Sequence, residues 1–140
     1  MSMQVQRKTL LAATIPDNVT ALRKVYEQHF DTRVVTRLDD ALAQLGEGVD
    51  LVLCNIHFDE GALYALLRAV KAAPAASGIP FVAIDASPGA SSPAIRQSID
   101  IACKMLGADE VIHMAHWRAE LGDAEAIEKV RRLVMRYVGA

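Results

Sequence analysis

Val49-Asp50-Leu51-Val52-Leu53-Cys54-Asn55-Ile56 is the stretch on which the fold turns. Its apolar run has the length of a strand and falls short of an ordinary helix. The flanks carry a different period. Upstream, Leu38, Ala41, Leu42 and Leu45 share one face of a small helix that stops at Gly46. Downstream, Leu63, Leu66, Leu67 and Val70 mark another helix, which Pro74 terminates. A strand set between two amphipathic helices is the unit of a parallel sheet with helices packed on it.

The same alternation extends to both ends. Thr9 to Ile15 is an apolar run suited to a central parallel strand. Pro16, Asp17 and Asn18 then supply a turn and cap for a helix that turns Val19, Leu22, Val25 and Tyr26 inward. Arg33 to Thr36 is a short second strand suited to an edge. Pro80 to Ile84 makes a fourth, with Pro80 at its first position where a missing donor is tolerated. The Ser/Pro/Gly segment Ser87 to Pro93 ends in a helix start, Ser92 as cap and Pro93 at the first helical position. Ile95, Ile99, Ala102 and Leu106 run down the inner face of that helix to Gly107.

Glu110 to Met114 reads as a fifth strand and Ala115 to Gly122 as an irregular piece. Asp123 then caps a last helix that buries Ile127, Val130, Val134 and Tyr137 and shows Lys129, Arg131, Arg132 and Arg136. Five strands alternating with five helices predict a doubly wound α/β fold, a five-stranded parallel sheet of the flavodoxin-like (βα)5 type in strand order 2-1-3-4-5. In such a sheet, ligands sit at the carboxyl ends of the strands. The 140 residues suit a single domain, 1–140, with no room for a second.

Hydrophobic residues make up 52% of the chain, enough for a buried sheet and too many for a disordered segment. The net charge of -2 provides no basic field to attract nucleic acid, and DNA or RNA is not an expected partner. Cys54 and Cys103 lie in apolar runs without metal-ligand or redox spacing, which suits a reducing compartment. The polar N-terminus, Met1 to Lys8, is followed by an apolar stretch that ends at Pro16, too short to span a membrane or to serve as a signal peptide. A cytoplasmic protein is the expectation.

Three landmarks carry a resemblance. They are Val49-Asp50-Leu51-Val52-Leu53 at the third strand, Ile79-Pro80-Phe81-Val82-Ala83-Ile84 at the fourth, and Gly107-Ala108-Asp109-Glu110-Val111-Ile112 at the fifth. In this order and spacing the chain resembles the receiver domains of two-component response regulators (the CheY-like family) over nearly its whole length. A working receiver needs a carboxylate nucleophile, acidic ligands for Mg²⁺, a hydroxyl that follows the phosphoryl group and a lysine to neutralise it. The resemblance puts the phosphorylated aspartate at Asn55, whose amide is no comparable nucleophile. It puts the metal-binding acids at Thr14 and Ile15, with Asp17 two positions late. The hydroxyl falls on Asp85, which would repel an incoming phosphate, and the lysine on Met114. The aromatic switch residue of the fifth strand falls on Val111. The loop His57-Phe58-Asp59-Glu60-Gly61 lacks the family's Met-Pro pair.

A degenerate receiver of this kind implies signalling by phosphorylation-independent contact with a protein, a kinase or an output protein, and requires no cofactor. Receivers commonly dimerise or engage outputs through the fourth helix, fifth strand and last helix. On that surface Trp117, Arg118, Arg132 and Arg136 are the candidate anchors, aromatic and Arg residues being favoured at hot spots. The alternative is a metal-binding protein or small metal-dependent enzyme using His57, Asp59, Glu60, Asp85 and His113 at the rim of the sheet, with His116 near them. These residues come from separate loops without a tight ligand motif. Ser87 to Ser92 has no Gly-Lys-Ser/Thr ending and is not a phosphate loop.

Overall fold

The computed structural model describes residues 7–139, so Met1 to Gln6 of the polar N-terminal stretch lie outside the described residues. In chain order the elements are β1 (Thr9–Ala13), α1 (Val19–Tyr26), β2 (Asp31–Val35), α2 (Leu38–Gln44), β3 (Leu51–Asn55), α3 (Leu63–Ala72), β4 (Phe81–Asp85), α4 (Pro93–Met105), β5 (Glu110–His113), α5 (Met114–Leu121) and α6 (Asp123–Tyr137). Short 3-10 turns occupy Pro16–Asn18 and Phe58–Glu60. The strands form one parallel sheet in the order β2-β1-β3-β4-β5. Fold class and strand order are those read from the sequence.

Side chains alternate across the sheet and build a core on each face. Leu11, Val52, Cys54, Phe81 and Ala83 pack against Ala41, Leu66, Leu67, Val70 and Cys103 of α2, α3 and α4. Leu10, Leu51, Leu53, Val82 and Ile112 pack against Tyr26 of α1 and Ala126, Val130 and Val134 of α6. The start of β1 is fixed by Asp50, whose carboxylate accepts from the Thr9 amide at 2.7 Å. The start of β4 is fixed by Asp109, which accepts from the Phe81 amide at 2.8 Å. No helix among the described residues is long and apolar enough to cross a membrane.

Four expectations need correction. The piece from Ala115 to Gly122 is helical rather than irregular. Met114 begins α5 and does not end β5, so six α-helices are present among the described residues. Asp123 does not cap the last helix: Gly122 holds the cap position and Asp123 is its first residue. Ile95 is 54% exposed, although it shares a helical stripe with Ile99 and Leu106, which pack inward with Cys103. Period assigns a face to a helix but not how far along it the sheet continues beneath. The expected Ser92 cap is present, its hydroxyl accepting from the Ile95 amide.

At the far end of α4 the Gly107 amide donates to Lys104 O and the Ala108 amide to Cys103 O, the paired bonds of a Schellman closure. Gly107 has φ +99, and a Cβ there would meet the Lys71 side chain at 3.4 Å. Gly107→Val is expected to cost about 1–2 kcal/mol through the left-handed backbone alone. Urea unfolding checks this, with an unchanged midpoint as the contrary result.

Candidate functional site

The carboxyl ends of β1, β3, β4 and β5 bring most of the resemblance-derived positions to one end of the sheet. Asn55 closes β3 and is 4% exposed. Its Oδ1 accepts from the His57 amide at 2.8 Å, a local turn that leaves the amide nitrogen as its free end. Asp85 closes β4 in register with His113 of β5, and its Oδ1 accepts from the Ser87 amide at 3.0 Å. Thr14, 2% exposed, follows β1 and donates its backbone N–H to Val35 O. Ile15 is half-buried at the start of the 3-10 turn, and Asp17 within that turn is exposed. Met114 is buried where β5 passes into α5.

Thr14, Asn55 and Met114 line one cavity, together with Leu53, Ile84 and Arg118. Ile15 and Asp85 do not line it, since Asp85 alternates with Ile84 along β4. No carboxylate and no lysine lines this cavity among the described residues. Val111 is half-buried and packs against the core on the α3 and α4 side of the sheet.

The rim does not assemble the metal site read as the alternative. Among the described residues no three of His, Cys, Asp or Glu approach closely enough to share an ion. The candidates are held apart by other partners. Asp59 accepts from the Leu38 amide at 2.7 Å and so caps α2 from a distant loop. His113 Nε2 lies 2.7 Å from Asp100 of α4, while its Nδ1 is buried without a partner among the described residues. His57 Nε2 lies 3.2 Å from the Ser87 hydroxyl. Glu60 is exposed in a left-handed conformation, φ 57, beside Asp59 at φ 41.

Of the expected surface anchors, Arg132 and Arg136 are exposed. Trp117 is half-buried with Lys129 Nζ 4.2 Å from its ring centroid. Arg118 donates to Ala86 O and Ser87 O at 3.3 Å and reaches Asp123 at 3.4 Å, so it ties α5 to the end of β4. Sequence reasoning missed the exposed apolar side of α4, where Ile101 is 51% and Met105 82% exposed. The signal was available, because Ile101 and Met105 stand four apart and off the stripe of Ile99, Ala102 and Leu106.

Cys54 and Cys103 are both free and buried. Burial first, and then each thiol's neighbour, raises both: Cys54 well above the usual thiol range and Cys103 up to about 11. Neither is a reactive nucleophile. Both are expected to resist iodoacetamide at pH 8 and to label at once in denaturant. Mass spectrometry of the alkylated protein checks it, and rapid native labelling would contradict it.

No family model matches this chain, and no curated protein does. Solved structures do. The receiver domain of the sensor histidine kinase PA1611 from Pseudomonas aeruginosa superposes with a TM-score of 0.70 at 15% identity, covering 97% of this chain and 100% of that one. The fold is the response-regulator receiver fold. A response regulator from Hahella chejuensis gives 0.68 at 19% identity, covering 94% of each chain. The phosphorylated cyanobacterial phytochrome response regulator RcpA gives 0.69 at 16% identity, again covering 94% of each. The receiver-fold domain described above therefore shares its architecture with these proteins across almost its full length.

Proposed function

We propose that this chain is a pseudo-receiver of the response-regulator family, a signalling module that acts by contact with another protein and without accepting a phosphoryl group. What supports it is the composition around Asn55. The position that would carry the acceptor holds an amide whose oxygen is used by the His57 N–H. The cavity beside it is walled by Leu53, Ile84 and Met114 and has, among the described residues, neither a carboxylate to hold Mg²⁺ nor a lysine to neutralise a phosphate. Asp85 and Val111 are read as a lost hydroxyl and a lost aromatic switch, which removes the relay that phosphorylation would drive.

The partner in this proposal is a cytoplasmic kinase or output protein. It docks where α4 leaves Ile101 and Met105 uncovered, with Arg132 and Arg136 of α6 as further polar contacts. A second copy of the chain could occupy the same face, and sedimentation over a range of concentrations separates the two cases. Incubation with acetyl phosphate and Mg²⁺ is expected to add no phosphoryl mass to the intact protein, and beryllofluoride with Mg²⁺ to leave its thermal midpoint unchanged. A stable phosphoryl adduct on any rim residue would refute the proposal.

A further inference from the structure

Between α1 and α6, against the carboxyl ends of β1, β3 and β4, lies a cavity of about 170 Å³. Its body is apolar, walled by Leu22, Val25, Tyr26, Leu53, Ile127 and Val130. Its polar groups come from Thr14, Asn18, Asn55 and Arg118. Thr14 and Asn55 are 2% and 4% exposed, yet the Thr14 hydroxyl and the Asn55 amide nitrogen have no hydrogen-bond partner among the described residues. His113 Nδ1 is the one fully buried side-chain N or O atom without a partner among the described residues, so the Thr14 and Asn55 groups are open to the cavity, where an acceptor can meet both. Arg118 is the one charged side chain lining the cavity among the described residues. Its Nη1 serves two backbone carbonyls and its Nε faces Asp123, which leaves Nη2 without a partner among the described residues.

We propose that this cavity binds a small aromatic monocarboxylate. Size sets the body of the ligand: an apolar cavity of about 150 Å³ accepts one benzene ring. Donor chemistry sets the head. A hydroxyl, an amide N–H and a guanidinium match the oxygens of a carboxylate, and among the described residues no acidic side chain lines the cavity to repel it. The ring lies between Leu22, Val25 and Val130, and the carboxylate sits at Thr14, Asn55 and Arg118. The site stands on its own geometry and does not depend on whether the chain signals without phosphate. Bound there, the ligand touches α1, β3, α5 and α6 together and would tighten their packing.

The test is a titration of the full isotope-labelled chain with phenylacetate, followed by NMR, beside its neutral isostere phenylacetamide. Phenylacetate is expected to give saturable shifts at the backbone amides around Thr14, Asn55 and Arg118, and phenylacetamide to bind at least tenfold more weakly. Thr14→Val, nearly isosteric, is expected to weaken phenylacetate severalfold and Arg118→Gln at least tenfold. Val25→Phe, which fills the cavity, is expected to abolish the shifts. If a variant does not fold, the two ligands on the unaltered chain still decide. No saturable shift with phenylacetate, shifts that map elsewhere, or equal affinity for the two probes would overturn the proposal.

Discussion

Phe58→Ala is expected to remove about 3–5 kcal/mol of stability, the range for truncating a buried aromatic. Phe58 is fully buried within the core formed by α2, α3 and α4, yet it belongs to the short turn after β3. Its carbonyl accepts from the Gly61 and Ala62 amides, closing a loop in which Asp59, Glu60 and Gly61 all have positive φ. Two of these are not glycine, so the loop stores backbone strain that the ring holds in place. Loss of the ring would also release Asp59 from the Leu38 amide and so uncap α2. Domains of this size have about 5–15 kcal/mol in total, so this one side chain carries a large share of it. Urea denaturation measures it, and a loss below about 1 kcal/mol would show that the loop needs no anchor.

Asn55→Asp is expected to destabilise the fold at neutral pH by roughly 2–4 kcal/mol without creating a phosphorylation site. The new carboxylate would sit at a position 4% exposed, one oxygen still turned to the His57 N–H, beside the apolar Leu53, Ile84 and Met114 wall. Desolvation would raise it above the usual value of about 3.9. The folded protein would then hold a proton that the unfolded chain has released, so stability falls as pH rises through this window and returns as pH drops toward about 4. Thermal midpoints from pH 4 to 8, compared with those of the unaltered chain, give the sign. A variant that is more stable at pH 7, or that takes up phosphate from acetyl phosphate, would show that the pocket supplies a cation or metal ligand after all.

The inner strands were legible because each is a short apolar run with turn residues on both sides, as in Leu51–Asn55 before His57 and Phe81–Asp85 after Pro80, whereas edge strand β2, Asp31–Val35, opens on polar residues and begins two positions before the Arg33 read as its start. The last helix was legible from the spacing of Ile127, Val130 and Val134. α5 was not. It has no side-chain cap at its start, and Met114, Ala115, Trp117, Arg118 and Leu121 mark no single face, because the helix packs on α6 and the end of β4 rather than flat on the sheet. The candidate positions at Thr14, Asn55 and Met114 could be placed because they are tied to strand ends. Their cavity could not, because α1, β1, β3, β4, α5 and α6 each lend it ordinary side chains that carry no local signal. Asp59 as the cap of α2 was equally silent, since donor and acceptor lie in separate βα units.

β1 is sandwiched between β2 and β3, and all its apolar side chains are buried. A nascent polypeptide can zip β2 onto it early, but its opposite border stays bare until Leu51–Asn55 has left the ribosome. At ordinary translation speeds that interval is on the order of seconds. During it a sticky ribbon is open to wrong neighbours, so a molecular chaperone binding near the first half of the chain would protect yield more than one acting after release.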